Sequence, residues 1–267
     1  MSASKHVNNH FDFDRIVKES LVEQVRYHEV IHSTNSDALE LCQNNEVHAP
    51  LLVVTSQQTA GRGRGSNRWW SAAGALTFSL VIRPTDFGLT EQQWPKASLT
   101  TGLSICFALD ELAPNEDVEL KWPNDVFVNR RKICGVLIEV GGARPSPTLV
   151  IGIGINVNNS FNSAPEELAE SATSLVDATG NHFELNDVLI SVLRHLERQI
   201  ARLSKDDPGL PSEWQRRCAL QGRSIDVETG QRRKTGRCQG IDEDGALVLL
   251  TESGPERFFG GVVARIR

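Results

Sequence analysis

The sequence predicts an α+β fold, and three patterns carry that prediction. Three extended segments, roughly 118–122, 125–128 and 133–140, are joined only by the turns Pro123-Asn124-Asp125 and Asn129-Arg130-Arg131-Lys132, which implies an antiparallel meander. Leu189, Leu193, Leu196, Ile200 and Leu203 recur at four-three spacing and give one helix a continuous apolar face. Beyond Trp214 the pattern changes to short strands with turns at Thr229-Gly230 and Asp242-Glu243-Asp244-Gly245, which suits a small β-barrel of about 50 residues.

The elements follow in order. Residues 1–24 read as a tail or a short leading element, polar and aperiodic for most of their length. Val25 to Ile31 suit a strand, and Thr34 stands where an N-cap belongs, its hydroxyl placed to accept from backbone near Asp37. Ala38, Leu39, Leu41 and Cys42 give the helix that follows an apolar face. Leu51 to Ser56 is a second strand, and Leu76, Phe78, Leu80 and Ile82 alternate with Thr77, Ser79 and Val81 in a third. Thr90 with Gln93 resembles a capping box, and the run after Pro95 to Leu112 is long enough for a mostly buried helix. After the meander, a loop over Gly141–Pro147 leads to a strand from Leu149 to Val157, and Asn186 is placed to cap the helix carrying Leu189 to Leu203. Lys205 to Ser212, with two prolines and a glycine, is the best boundary in the chain. The expected division is a catalytic domain over 25–212 and a small C-terminal domain over 213–267.

Composition excludes several classes of function. With 28 basic against 34 acidic side chains the net charge is −6, so the chain as a whole should not cling to polyanions. No run of about 18 apolar residues exists to span a bilayer, and the start Met1-Ser2-Ala3-Ser4-Lys5-His6 lacks the apolar core of a secretory signal, so a cytoplasmic location is expected. Five cysteines without a Cys-x-x-Cys pair spell neither a disulfide framework nor a thiolate zinc site.

The densest chemical signal is Gln58-Thr59-Ala60-Gly61-Arg62-Gly63-Arg64-Gly65-Ser66-Asn67-Arg68-Trp69-Trp70. Three glycines in five residues let backbone amides approach a ligand, and three arginines within seven offer planar donor forks to phosphate or carboxylate. The spacing is not a dinucleotide fingerprint, because the segment after it reads as a strand and no helix N-terminus faces a pyrophosphate. A solvated Gly/Arg surface loop has the same composition, but two adjacent indoles usually pack or stack. Lys121-Trp122-Pro123-Asn124-Asp125 is an adequate turn by itself; it also presents a carboxylate able to hold Mg²⁺ on a nucleotide, with Lys121 and Lys132 flanking it to screen phosphate charge. Gly152-Ile153-Gly154-Ile155-Asn156 places two glycines inside a strand, where either a ligand or another part of the chain must approach closely.

His28-Glu29-Val30-Ile31-His32 matches the H-E-x-x-H of zinc proteases and is set aside. That chemistry needs both histidines on one helical face, whereas a strand would put them about 13 Å apart. His195 falls within the late amphipathic helix and reads as an ordinary helix-surface or boundary residue rather than a ligand.

Taken together, Gly61-Arg62-Gly63-Arg64 with Trp69, Lys121-Trp122-Pro123-Asn124-Asp125, Arg131-Lys132-Ile133-Cys134-Gly135-Val136-Leu137-Ile138-Glu139 and Gly152-Ile153-Gly154-Ile155-Asn156 resemble biotin–protein ligases in order and spacing. Ser33-Thr34-Asn35 matches the family's Ser-Thr-Asn element ahead of them. The resemblance runs through about residues 28–160 by specific motifs and more loosely to the end. It implies a catalytic domain akin to class II aminoacyl-tRNA synthetases, with a mixed, largely antiparallel sheet, followed by a small Src-homology-3-like β-barrel. It also implies two chemical steps: attack of the biotin carboxylate on the α-phosphate of Mg-ATP to give biotinyl-5′-AMP and pyrophosphate, then transfer to the acceptor lysine of a biotin carboxyl carrier protein or domain.

By the same resemblance, Ser33, Thr34, Asn35 and Gln58 line the biotin pocket, with Gly61, Gly63, Gly135, Gly152 and Gly154 letting the ligand lie close to backbone. Arg62 and Arg64 hold the biotin carboxylate and the α-phosphate, and Lys132 matches the family's essential lysine, so Arg62 and Lys132 are the expected catalytic groups. Trp69 and Asn156 contact adenine; Lys121, Asn124 and Asp125 stand near ATP and Mg²⁺; Asn67 occupies a position where many bacterial members have another arginine. Acetyl-CoA carboxylase and other biotin-dependent carboxylases supply the expected carrier partners, and a homodimer is one assembly the sequence allows. Only about 30 residues precede Ser33, so no nucleic-acid partner is expected. Two alternatives stay open on sequence alone: a lipoate–protein ligase of the same fold, and a non-catalytic biotin-binding regulator.

Overall fold

The computed structural model describes residues 11–44, 47–142, 146–161, 164 and 166–266. Residues 1–10 of the leading segment and 143–145 of the Gly141–Pro147 loop lie outside the described residues. The chain opens with α1 (Phe13–Glu19), capped by the Asp12 carboxylate, which accepts from Arg15 N–H at 3.0 Å. β1 (Gln24–Ile31) and β2 (Leu51–Gln58) pair in parallel, which demands a crossover, and α2 (Thr34–Gln43) provides it. Next come β3 (Leu76–Ile82) and the long buried helix α3 (Ala97–Leu112). β4 (Val118–Lys121), β5 (Asp125–Val128), β6 (Arg131–Gly141) and β7 (Thr148–Ile155) then form the expected antiparallel meander. The mixed sheet has the order β1-β2-β3-β7-β6-β5-β4, with every pair antiparallel except β1–β2.

Short helices α4 (Glu166–Ser171) and α5 (Leu175–Thr179) precede α6 (Leu185–Ser204), which presents Leu189, Leu193, Leu196, Ile200 and Leu203 to the core as the spacing predicts. α7 (Gly209–Arg216) spans the 212/213 position and buries Trp214. β8 (Ser224–Thr229), β9 (Arg232–Ile241), β10 (Leu247–Thr251), β11 (Gly254–Phe258) and β12 (Val262–Ile266) close the chain as an antiparallel sheet in the order β11-β10-β9-β8-β12. This second sheet is fastened to the first by Trp122 Nε1, which donates to the Gly245 carbonyl at 3.1 Å, and by backbone bonds between Leu120 and residues 217 and 219. Its buried Ile225, Val227 and Leu249 join the main core.

Two caps differ from expectation. Ser33, not Thr34, is the N-cap of α2, and the Asp37 N–H goes to the Ser33 carbonyl, because the Thr34 hydroxyl is engaged by Ser79 and Gln58 on the sheet. α6 begins at Leu185 with Glu184 as its cap, and the Asn186 side chain instead accepts from Asp12 N–H at 2.9 Å. The expected Thr90/Gln93 pair is present: Gln93 Oε1 accepts from Thr90 N–H at 3.0 Å.

The alternation of strand side chains decides where a site can exist. On β3, Leu76, Phe78, Leu80 and Ile82 face the core shared with α3 and α6, and on β7 the same face carries Leu149, Ile151, Ile153 and Ile155. The opposite face meets α2 through Ala38, Leu41, Val81 and Val150, but only toward one end. Toward the other end it offers Thr77 and Ser79 on β3 with Gly152 and Gly154 on β7. One face of a continuous sheet thus turns from apolar to small and polar, leaving room above it.

Candidate active site

A cavity of about 560 Å³ fills that room, a size suited to a small-molecule ligand. Its walls are the start of α2, the loop between β2 and β3, the β4–β5 turn, and two turns of the C-terminal sheet at 228–230 and 260–263. Every site residue expected from the sequence lines it except Gly61 and Asn156. Gly61 lies beneath, where a Cβ would come within 2.6 Å of the Trp69 carbonyl. Asn156 stands beyond the end of β7, its Oδ1 accepting from Asn159 Nδ2 at 3.1 Å, so it is not brought to the cavity in this arrangement.

One end of the cavity is polar and uncharged. Gln58 Oε1 accepts from Thr34 N–H at 2.8 Å, and the buried Ser79 Oγ lies 2.7 Å from Thr34 Oγ1 and donates to Asn35 Oδ1 at 2.5 Å. Asn35 Nδ2 donates onward to the Leu137 carbonyl and to Glu139 Oε2, at 3.1 and 3.0 Å. The network is possible because Gly152 has no side chain: a Cβ there would collide with the Asn35 amide. Gly154 is empty for the same reason, its missing side chain being replaced by the Trp69 indole. Of the two sequence readings for these glycines, close approach of another part of the chain is what the structure holds.

The other end is cationic. Lys132 Nζ contacts Asp125 Oδ1 at 2.7 Å, beside Gly135, where a Cβ would touch the Lys132 ammonium stem. Lys121 lies 4.9 Å above the Phe127 ring, and burial, reinforced by the like charge of Lys132, pushes its pKa down despite the opposing pull of Asp125. Asn124 Nδ2 donates to the Val136 carbonyl at 2.7 Å while Val136 N–H returns to the Asn124 carbonyl, so this side chain locks the turn against β6. On the glycine-rich loop, Arg62 forms a fork with Glu139, Nη2 to Oε1 at 2.7 Å and Nη1 to Oε2 at 3.0 Å. Arg64 Nη1 donates to the Gly261 carbonyl. Backbone bonds from Gly63 N–H to the Asn67 carbonyl and from Trp69 N–H to the Gly61 carbonyl hold the loop in a hairpin-like shape.

Apart from Asp125 Oδ1, which meets the Lys132 ammonium, two buried polar atoms on the cavity wall, Trp69 Nε1 and Thr77 Oγ1, have no hydrogen-bond partner among the described residues. Buried polar atoms are rarely left unpaired, so each is available to a group that enters the cavity. Sequence reasoning missed Ser79, Thr77, Glu139, Arg68 and the C-terminal turns around Thr229 and Gly261, all of which line the cavity or belong to its network. Ser79 and Thr77 carried a signal, being polar positions inside an otherwise apolar strand.

Comparison with known proteins places these features. Residues 27–156 match the model of the biotin/lipoate A/B protein ligase family, and residues 221–265 match the biotin protein ligase C-terminal domain. A biotin–[acetyl-CoA-carboxylase] ligase of Mycobacterium tuberculosis is 33% identical over 81% of this chain and 79% of its own. Another from Paracoccus denitrificans is 32% identical over 86% of this chain and 98% of its own. The bifunctional ligase/repressor BirA of Bacillus subtilis is 32% identical over 90% of this chain and 74% of its own. Among solved structures, the Aquifex aeolicus biotin protein ligase in complex with biotin and ATP superposes with a TM-score of 0.78 at 30% identity, covering 92% of this chain and 99% of that one.

Proposed function

The chain belongs to the biotin–protein ligase family, and from that premise we propose that it is an ATP-dependent biotin–[acetyl-CoA-carboxylase] ligase whose one cavity holds both substrates end to end. The observation that carries this reading is the continuity of the cavity. An uncharged polar pocket built from Ser33, Thr34, Asn35 and Gln58 runs without a break into a cationic end built from Arg62, Arg64, Lys121 and Lys132. A neutral bicyclic urea suits the first, a nucleoside triphosphate the second, and the carboxylate and α-phosphate meet between them.

In the first step a biotin carboxylate oxygen bonds to the α-phosphorus as the bond to the β-phosphate oxygen breaks, releasing pyrophosphate. Charge builds on the phosphate oxygens, and preorganised donors lower such a barrier most. Lys132 and Arg64 supply them here, while Arg62 borders the same place from its pair with Glu139. In the second step a carrier lysine amine attacks the acyl carbon, AMP leaves with the electron pair of the broken C–O bond, and the amine loses its proton. Adenine is assigned to Trp69, whose Nε1 needs a partner, with Asn67 beside it; Asn156 would reach the base only after a local shift.

Mg²⁺ accompanies ATP, and Asp125 is the residue that would hold it. One carboxylate is enough where phosphate oxygens complete the shell, and among the described residues no cluster of three or more His, Cys, Asp or Glu competes for the ion. The ion would neutralise charge on the departing pyrophosphate. The family assignment also supports reading the mixed sheet as class II synthetase-like over 25–212 and the C-terminal sheet as a Src-homology-3-like barrel over 213–267, with α7 bridging the two. No described helix is long and apolar enough to cross a membrane. We assign a cytoplasmic location, biotin-dependent carboxylase carriers as partners, and no nucleic-acid partner, in keeping with the net charge of −6.

ATP–pyrophosphate exchange with biotin, lipoate or no acid tests the first half-reaction. Exchange that requires biotin, followed by label transfer to a carrier domain, is expected. Exchange with lipoate alone would overturn the pocket assignment, and no exchange with either would leave a binding protein.

A further inference from the structure

We infer that Glu139 is a positioning residue for adenylate formation and that it acts through Arg62, the two forming a staple that fastens the glycine-rich loop to the wall of the biotin pocket. The inference rests on the ligase reading above for what the loop does, but the staple itself is visible in the geometry. Both terminal nitrogens of Arg62 are engaged by the two oxygens of one carboxylate, across 77 positions of sequence. Such a fork fixes direction as well as distance. The same carboxylate also accepts from Asn35 Nδ2, and Asn35 is held by Ser79, which neighbours Thr34. One acidic side chain therefore belongs at once to the loop and to the polar network of the pocket.

The backbone bonds inside the loop hold its shape but do not tie it to α2 or β6. Beyond its base, side-chain ties reach out from neighbouring positions: Arg62 to Glu139 on β6, with a longer bond of 3.4 Å to Ser36 on α2, and Arg64 to Gly261 in the C-terminal sheet. The loop is slung between them. For Arg62 to turn instead onto a substrate carboxylate, it would have to give up the fork, leaving Glu139 without its paired cation close to an incoming anion. The arrangement favours the opposite division of labour, in which Arg62 stays on Glu139 and the loop it anchors presents Arg64 and the backbone amides to substrate.

A double-mutant cycle on the full-length chain decides it. Arg62→Ala, Glu139→Ala and the double variant are compared with the parent in biotin-dependent ATP–pyrophosphate exchange, with thermal unfolding as the control for folding. If the two residues act as one device, each single substitution raises KM for biotin and ATP about tenfold with a smaller fall in kcat, and the double variant matches either single within about threefold. Glu139→Gln, which keeps one oxygen for Asn35 and Arg62, recovers part of the loss. Trypsin should also cut the loop after Arg64 or Arg68 faster in Glu139→Ala than in the parent, a readout that does not depend on activity. Arg62→Ala falling far below Glu139→Ala in kcat would mean that Arg62 touches the reacting atoms, and a lowered KM in Glu139→Ala would mean that the carboxylate only competes with substrate. Either result, additive losses, or unchanged trypsin cutting would overturn the staple. If the parent itself shows no biotin-dependent exchange, the ligase reading fails, and the trypsin comparison still judges the staple.

Discussion

Arg64 Nη1 donates to the Gly261 carbonyl at 2.8 Å, joining the glycine-rich loop of the first sheet to the last turn of the second across 197 residues. A carbonyl carries no net charge, so this contact orients the guanidinium without neutralising it. Arg62 and Lys132 each face a carboxylate, and Arg64 does not. The C-terminal sheet is therefore more than an appendage: it orients a cavity cation that no carboxylate neutralises.

Gly261→Ala tests that relationship. Gly261 has φ +142°, a region that L side chains avoid, and a Cβ there would lie 2.7 Å from the Glu228 carbonyl. The turn must shift, at a cost of about 1–3 kcal/mol, and carry the carbonyl away from Arg64. KM for ATP should rise severalfold and biotinyl-5′-AMP should escape into solution, detected as free-amine labelling of a bystander protein. Unchanged ATP affinity and no escape would show that Arg64 needs no partner from the second sheet.

Gly152 and Gly154 lie two residues apart on the same face of β7, yet they make room for different neighbours, Asn35 and Trp69. Gly152→Ala should therefore weaken biotin binding, and Gly154→Ala should weaken ATP binding, each by about tenfold or more because the displaced side chain cannot collapse elsewhere. Titration calorimetry with each ligand reads the two effects separately. Equal losses of both ligands in both variants would show that the cavity is not divided in this way.

Much of this site was legible in order along the chain, because glycine spacing, paired turns and strand alternation are local properties. The Thr77/Ser79 face of β3 and the meander from Val118 to Gly141 could be read from residues a few positions apart. Glu139 could not, although it stands inside a quoted motif, because nothing local distinguishes a carboxylate that grips Arg62 from one that faces water. Gly261 was hidden for the same reason at greater range. Thr34 misled in the opposite sense: a residue typed for a helix cap had a better partner on a strand 45 positions away. Contacts distant in sequence decide these cases, and a single sequence does not contain them.

Lys121 is held at a cost to the fold. Burial lowers its pKa, so its charge is disfavoured in the native state at neutral pH, and the penalty fades as pH rises toward the ordinary lysine value of 10.5. Lys121→Met keeps an apolar stem near Phe127 and removes the charge. The midpoint of thermal unfolding at pH 7 should rise by about 2 °C, while KM for ATP rises about tenfold through the lost cation. A lower midpoint would mean that the ammonium's contact with the Phe127 ring outweighs its burial.

All five cysteines are buried. Burial pushes the Cys106 thiol up to about 12 and holds Cys134 well above the usual thiol range, so both keep their protons in the fold. In the unfolded chain the same thiols ionise near pH 9. The native state therefore binds more protons than the unfolded one above that pH, and stability must fall as pH rises from about 9 toward 12, by about 1.4 kcal/mol per pH unit for each such thiol. Urea unfolding at pH 7 and pH 10 measures the loss. Cys106→Ala, which removes one of the buried thiols held above its ordinary value and leaves the small cavity cost equal at both pH values, should reduce the difference between the two curves. A thiol reagent at pH 8 should meanwhile find no reactive cysteine in the native protein other than Cys218, whose thiol is pulled down by its hydrogen bond with Cys238, and five in guanidinium. An unchanged pH difference in Cys106→Ala would place the alkaline instability outside the core of α3, in the other buried thiols or in the surface lysines.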